Sequence, residues 1–554
     1  MLIGGAIYLS GLIFYSALFL FTANQNQFFQ IAKLMVAALH CLILIVPAYM
    51  AQSSRSIVKV LGYLGLIVYF LYIYFLVGFF PYFGFIPELY TFGSGNVSDV
   101  SEVMGHYFKQ IFGYREVLLV ITAALLFYLV PRHRLPVQGV LALVLLPLAV
   151  FSTSVYQFGL PGISQSLGNE TLVRRFGLAG FSYNSINEWV NIKGGYLGPK
   201  AAYPGRISKL ISPDPVSSQA TSSMPKDVDR IILVQIESFD SEAIEASLSG
   251  KPVMPFVDEL RSKCVNYTNF LAMKGAGGSS DAEFSVATGL VPSLRLPALR
   301  NTDFSRVETL YDQLRSAGVV SRFAHNNNAG YYGRNIAYEK INSVETDFQK
   351  PHETIQERLF AKKALAASLK DSQKSFHYFF NYQSHGPYQG YSAQTAEKFS
   401  IGASSDILSD YLATMNEVDQ MISELFSMQS AGFEDGKNLF ILTADHPSYV
   451  HPRDGEIAQS RIPAMICHAS FEGTTVSNVY GTIDLYPTIL EAFGVTSGNA
   501  VLGQNMLDSG DNAVLLPQGK LVYKDKQGKV ISRPCSENCG PYLGYTDQYI
   551  MLHP

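Results

Sequence analysis

The chain divides by its hydrophobic pattern. The first 156 residues hold five long apolar runs, 2–23, 31–50, 60–80, 111–130 and 137–156. Each approaches the roughly 20 residues a helix needs to cross a bilayer. The fourth is interrupted by Arg115 and Glu116, which leaves a clean stretch over 117–130. A cleaved leader does not fit the first run, because four more follow it. From Asp229 onward, short apolar runs of strand length alternate with helical stretches. That alternation predicts a mostly parallel sheet covered by helices. The expected architecture is an N-terminal five-helix transmembrane bundle joined to an α/β domain.

Charge sharpens this division. Residues 1–155 carry only 11 of the 86 charged residues, so the apolar half has little to keep it in water. Arg55 and Lys59 lie in the second connection, and Arg132 and Arg134 in the fourth. The first connection has no charge, and the third is mainly acidic, with Glu88, Asp99 and Glu102 against Lys109. Basic loops stay in the cytoplasm. The N-terminus is therefore expected inside, and everything after Tyr156 outside, in a multi-pass protein of the cell membrane. Residues 170–192 mix apolar and basic side chains around Trp189, the one tryptophan, and read equally as an interfacial helix or as packing against the later domain. Residues 212–225 are rich in Ser and Pro and read as a linker. The expected divisions are 1–156, transmembrane; 157–225, connector; 226–510, catalytic domain; and 511–554, a small β extension. The net charge of -4 and the absence of a basic stripe or zinc-finger spacing give no reason to expect nucleic acid. Of the five cysteines, Cys41 reads as packing, and Cys264 and Cys467 as buried thiols in strands. Cys535 and Cys539 read as a local disulfide if the tail meets an oxidising compartment.

In an open α/β sheet, ligands gather at the carboxyl ends of strands. The run 230–236 ends on Glu237, 319–324 on His325, and 438–444 on Asp445-His446, while 377–382 is followed by His385. Four strands thus deliver carboxylates and imidazoles to one edge, a donor set suited to Mn²⁺ or Zn²⁺. The segment Gly275-Ala276-Gly277-Gly278-Ser279-Ser280 then opens a helical stretch. Its glycines permit close backbone approach, and a helix N-terminus favours phosphate. Ser280 and Glu283 have capping-box spacing. That commits Ser280 to the cap and leaves Ser279 facing the site as a nucleophile whose pKa a metal would lower.

The motifs QIESF at Glu237, GGSSDAEF at Ser279, the His325-to-Arg334 run, SHGPY at His385, ADH at Asp445-His446 and IDLYPTIL at Asp484 resemble the alkaline phosphatase/sulfatase superfamily. Within it they resemble the lipoteichoic acid synthase-like membrane phosphoglycerol transferases. The resemblance implies a sulfatase-like domain in which Glu237, Ser279, Asp445 and His446 hold one divalent ion, Mn²⁺ foremost, with Zn²⁺ or Mg²⁺ as alternatives. It implies that His325, Tyr332, Arg334 and His385 contact the substrate. Serine replaces the family's threonine nucleophile, Tyr332 stands where the family has tryptophan, and Gly278 where it has lysine. The implied reaction moves a phosphoglycerol group from phosphatidylglycerol, through a phosphoglyceryl-serine, to an envelope glycan or glycerophosphate polymer, with His385 assisting proton transfer. The competing expectations are a phosphoethanolamine transferase and a non-catalytic sensor or scaffold that keeps the fold. A sulfatase proper is disfavoured because no C/S-x-P-x-R sequence follows Ser279.

Overall fold

The computed structural model describes residues 43–83, 114–134 and, apart from short interruptions, 228–535, with isolated stretches elsewhere. The chain falls into two units, Met1–Tyr196 and Leu197–His553.

In the first unit, a helix over Ser56–Phe83 takes in the third expected span, and a helix over Tyr114–Leu129 falls within the fourth. Among the described residues, only Ser56–Tyr74 is long and apolar enough to cross a membrane, and Val117–Leu129 is a shorter apolar helix. Tyr63 stacks on Phe127 across the two helices, with ring centroids 6.0 Å apart. The Gln52 amide donates to the carbonyls of Val130 and His133, tying the two polar ends. Val68 is 64% and Leu71 65% exposed, so the apolar surface is not consumed by packing within the unit. Most of the first, second and fifth expected spans and nearly all of 157–225 lie outside the described residues.

The second unit is built on eight strands. These are β1 (Arg230–Ile236), β2 (Cys264–Leu271), β3 (Val320–His325), β4 (Glu345–Phe348), β5 (Ser375–Phe380), β6 (Asn438–Ala444), β7 (Arg461–Cys467) and β8 (Thr474–Gly481). Their order across the sheet is β8-β2-β7-β6-β1-β5-β3-β4. Every pairing is parallel except the two made by β7, so the sheet is mostly parallel, as the pattern predicts. β5 and β6 are buried at every position, which explains why they read as continuous apolar runs rather than alternating ones. The amphipathic helix Ile407–Met428 buries one face, including Leu412, Met415, Val418 and Ile422. A separate antiparallel sheet, β9 (Ala513–Leu516), β10 (Lys520–Lys524) and β11 (Val530–Pro534), follows.

One cysteine pair departs from expectation and the other meets it. Cys264 and Cys467 are not buried thiols. They face one another in the antiparallel β2–β7 register and form a disulfide. The strand pattern located both residues correctly, but pairing depends on register between strands some two hundred residues apart. Cys535 and Cys539 form the second disulfide.

Candidate active site

Strand register assembles the centre. Ile236 of β1 is level with Ala444 of β6, so Glu237 and Asp445 leave the sheet side by side. Asp445 Oδ1 accepts the backbone N–H groups of Ser238 (2.8 Å) and His446 (2.7 Å). Ser238 adopts φ +54°, an uncommon left-handed conformation. His446 Nδ1 lies 2.9 Å from the Pro447 carbonyl. A carbonyl only accepts, so Nδ1 carries the proton and Nε2 presents a lone pair. That nitrogen is 3.4 Å from Glu237 Oε1, from Asp445 Oδ2 and from Ser279 Oγ.

Ser279 is brought in by the helix Ser279–Thr288, which is buried along its whole length. Its N-cap is Gly278, with φ +57°, ψ -126°, a backbone conformation open to glycine. A Cβ there would also stand 3.0 Å from the Tyr332 hydroxyl. A side chain at 278 would therefore crowd the Tyr332 hydroxyl. Asp281 shapes the loop: its Oδ2 accepts from the N–H groups of Gly275 (2.7 Å) and Gly277 (2.8 Å). Burial raises Asp281 to about 7 against those hydrogen bonds.

The expected capping box is absent. Ser280 is inside the first turn, and its hydroxyl donates to the Gly277 carbonyl at 2.8 Å. Glu283 instead faces Arg334, which donates through Nε to Oε1 (2.9 Å) and Oε2 (3.1 Å) and through a second nitrogen to Oε1, while Tyr338 donates to Oε2 (3.2 Å). A helix buried on all sides cannot leave a carboxylate unpaired, and this requirement outweighs a local cap. Both partners are essentially inaccessible, with side-chain exposures of 1% and 0%.

Two further histidines repeat the arrangement of His446. His325 Nδ1 is 2.9 Å from the Phe380 carbonyl, and His385 Nδ1 is 2.8 Å from the Gly386 carbonyl. Burial lowers the pKa of both, and Arg334 adds to the effect at His325. Both are therefore neutral imidazoles, and His325 Nε2 is buried with no partner. The Arg334 guanidinium lies 5.5 Å from the ring centroids of Tyr332 and Phe380.

The donor set at Glu237, Asp445 and His446 fits a cation. One ligand atom from each lies within 4.8 Å of the others. Burial, then the adjacent Asp445 carboxylate, pushes Glu237 well above the usual carboxyl range, and Asp445 Oδ2 is buried without a partner. Burial lowers His446 to about 4, leaving it neutral and able to coordinate. Two buried carboxylates with an imidazole nitrogen presenting a lone pair are the oxygen-nitrogen set of a divalent ion.

Sequence reasoning missed three contributors: Asp281, the Glu283–Arg334 pair, and a group around Asp240. The signal for the first two was two acidic residues in a segment otherwise composed for burial.

Residues 229–495 match the sulfatase family profile. A lipoteichoic acid synthase-like protein of Bacillus subtilis is 22% identical over 70% of this chain and 69% of its own length. Lipoteichoic acid synthase 2 of Bacillus subtilis is 24% identical over 56% of this chain and 51% of its own length. The lipoteichoic acid synthase of Staphylococcus aureus is 22% identical over 55% and 52%. The chain thus matches about half the length of these two synthases. The fold is shared with the lipoteichoic acid synthase LtaP of Listeria monocytogenes (TM-score 0.52, 17% identity, 62% of this chain and 98% of that one). It is also shared with the integral membrane lipooligosaccharide phosphoethanolamine transferase A of Neisseria meningitidis (TM-score 0.50, 14% identity, 89% and 95%). Residues 229–495 of this chain are a sulfatase-family domain.

Proposed function

We propose that the chain is a membrane-anchored phosphoglycerol transferase that uses phosphatidylglycerol as donor and an envelope glycan or glycerophosphate polymer as acceptor. The observation that carries this reading is the convergence of Ser279 Oγ on His446 Nε2 beside two buried carboxylates at a helix N-terminus. Glu237, Ser279, Asp445 and His446 would hold one divalent ion, with Mn²⁺ the foremost candidate. When bound, it supplies the positive charge that lowers the Ser279 pKa and offsets charge developing on phosphorus. Ser279 attacks phosphorus, diacylglycerol departs, and an acceptor hydroxyl releases phosphoglycerol from the serine. The bare Nε2 of His325 accepts a hydrogen bond, which suits a glycerol hydroxyl better than a phosphate oxygen. Tyr332 and Arg334 flank the same pocket. Arg334 is already paired with Glu283, so its part is to hold a preset donor array rather than to bind phosphate as an unpaired cation.

Five membrane spans, a cytoplasmic N-terminus and a catalytic domain outside complete the proposal, with the divisions 1–156, 157–225, 226–510 and 511–554. The apolar helix Ser56–Tyr74 and two disulfides, which persist in oxidising compartments, support it. A phosphoethanolamine transferase is the second reading, favoured by the fold similarity that extends over 89% of the chain. Incubation with head-group-labelled phosphatidylglycerol or phosphatidylethanolamine separates the two. Diacylglycerol release from the first alone is expected, and release from the second alone overturns the donor.

A further inference from the structure

A second hydrogen-bonded centre sits on the two loops that carry Glu237 and His446. Asp240, three residues beyond Glu237, is fully buried. Its Oδ1 accepts the Ser448 N–H at 2.7 Å and pairs with Arg453 at 2.8 Å. Its Oδ2 accepts from the Ser448 hydroxyl and from His451 Nδ1, the latter at 2.7 Å. Asp445 and Asp240 therefore lace the same two loops in opposite senses, each taking a backbone N–H from the other strand's loop. The His451 side chain is 23% exposed, whereas Asp240 is not exposed at all. A buried carboxylate fixing Nδ1–H of a solvent-reachable imidazole leaves proton exchange to Nε2, the arrangement of a general acid–base group.

Resting on the phosphoglycerol-transfer reading, we propose that His451, oriented by Asp240, is the proton carrier of the reaction. With the Ser279 hydroxyl already deprotonated, its Oγ–P bond forms and the bond from phosphorus to the diacylglycerol oxygen breaks. The Nε2 proton of the His451 imidazolium passes to that oxygen. In the second half, the neutral Nε2 takes the acceptor hydroxyl's proton as the acceptor oxygen bonds phosphorus. The Ser279–phosphorus bond then breaks, and imidazolium is restored. His385 is less suited to the first step, because burial lowers its pKa. At His451 the Asp240 hydrogen bond raises it, with Glu242 in the same sense, burial and Arg453 opposing, and Tyr411 packing edge-on.

The test compares leaving groups, using the full chain in detergent micelles. Phosphatidylglycerol releases an alkoxide that needs a proton, whereas p-nitrophenyl phosphoglycerol releases a phenolate that does not. His451→Gln is expected to slow diacylglycerol release about a hundredfold and p-nitrophenol release less than about threefold. In the wild type, diacylglycerol release falls as pH rises through the His451 pKa. Asp240→Asn moves that fall to lower pH, and this shift decides the matter alone should His451→Gln lower the melting temperature. Equal losses on both substrates, no loss on the lipid, or an unmoved pH profile in Asp240→Asn overturns the proposal. Failure of the donor reading shows separately, as wild-type diacylglycerol release from phosphatidylethanolamine instead, and the same comparison is then read on that lipid.

Discussion

The two halves of the site solve the burial of charge differently. Around Glu237, Asp445 and His446, two carboxylates are buried beside a neutral imidazole, and Asp445 Oδ2 has no hydrogen-bond partner. Around Glu283 and Arg334, an equally buried carboxylate has its own guanidinium in a multiply bonded fork. The first half has the donor set of a divalent-ion site, and on the proposed function the ion completes it. The second is complete within the polypeptide. Buried acids around the same nucleophile can thus serve opposite ends, Glu237 and Asp445 offered to an ion and Glu283 committed to architecture.

The largest effects should come from the incomplete half. Glu237→Gln or Asp445→Asn should abolish bound manganese and cut turnover about a thousandfold or more, the several kcal/mol a bound cation supplies. Metal analysis and circular dichroism on the same sample read both expectations. Full turnover after chelation breaks the comparison outright. Ser279→Ala should likewise remove the covalent adduct seen by peptide mass mapping after quenching with lipid donor alone.

In the complete half, the expected loss is of stability. Arg334→Leu strands Glu283 and should cost about 3–5 kcal/mol. The double variant Arg334→Leu/Glu283→Leu should recover most of this in thermal unfolding without recovering activity. If the single variant melts like wild type, Glu283 is not dependent on its partner.

The pH response should distinguish the halves. Glu237 is raised in the folded state, chiefly by burial and then by Asp445, so its protonated form is favoured there. Its contribution to stability is full below the unfolded value of about 4.3 and is lost as pH rises through the folded value. Metal-free protein should therefore weaken from acid toward neutral pH. Asp281, raised to about 7, contributes in the same direction over about 4 to 7. Manganese should flatten the Glu237 part of this slope, and Glu237→Gln should remove it. A slope in Glu237→Gln equal to that of the wild type would assign it elsewhere. The smallest effect is expected at Ser280, where Ala removes one hydrogen bond to Gly277 and should cost about 1 kcal/mol, with turnover retained.

Much of the site was legible because strand ends are a local property. Apolar runs closing on Glu237, His325 and Asp445 mark both the strand and its functional edge, and β1 and β6 match the runs read from sequence residue for residue. What was illegible depends on partners far along the chain. Ser280 and Glu283 satisfy a local capping rule, yet Arg334, 51 residues on, claims the carboxylate. Asp240 carries no signal of its own until β1 and β6 lie side by side and bring Ser448 and His451 within reach. Cys264 and Cys467 needed a register that only the folded sheet supplies.

That last bond has a consequence for biogenesis. It spans 203 positions, and the segment it encloses contains Ser279, Asp445 and His446. If the domain is exported as proposed, Cys264 emerges long before its mate, so the bridge can close only after nearly the whole domain has followed. On the proposed topology Cys264 is, until then, an unpaired thiol in an oxidising space. Export machinery that delivers the chain slowly would therefore expose it to mispairing, and a thiol–disulfide isomerase becomes a natural requirement for producing this enzyme in quantity.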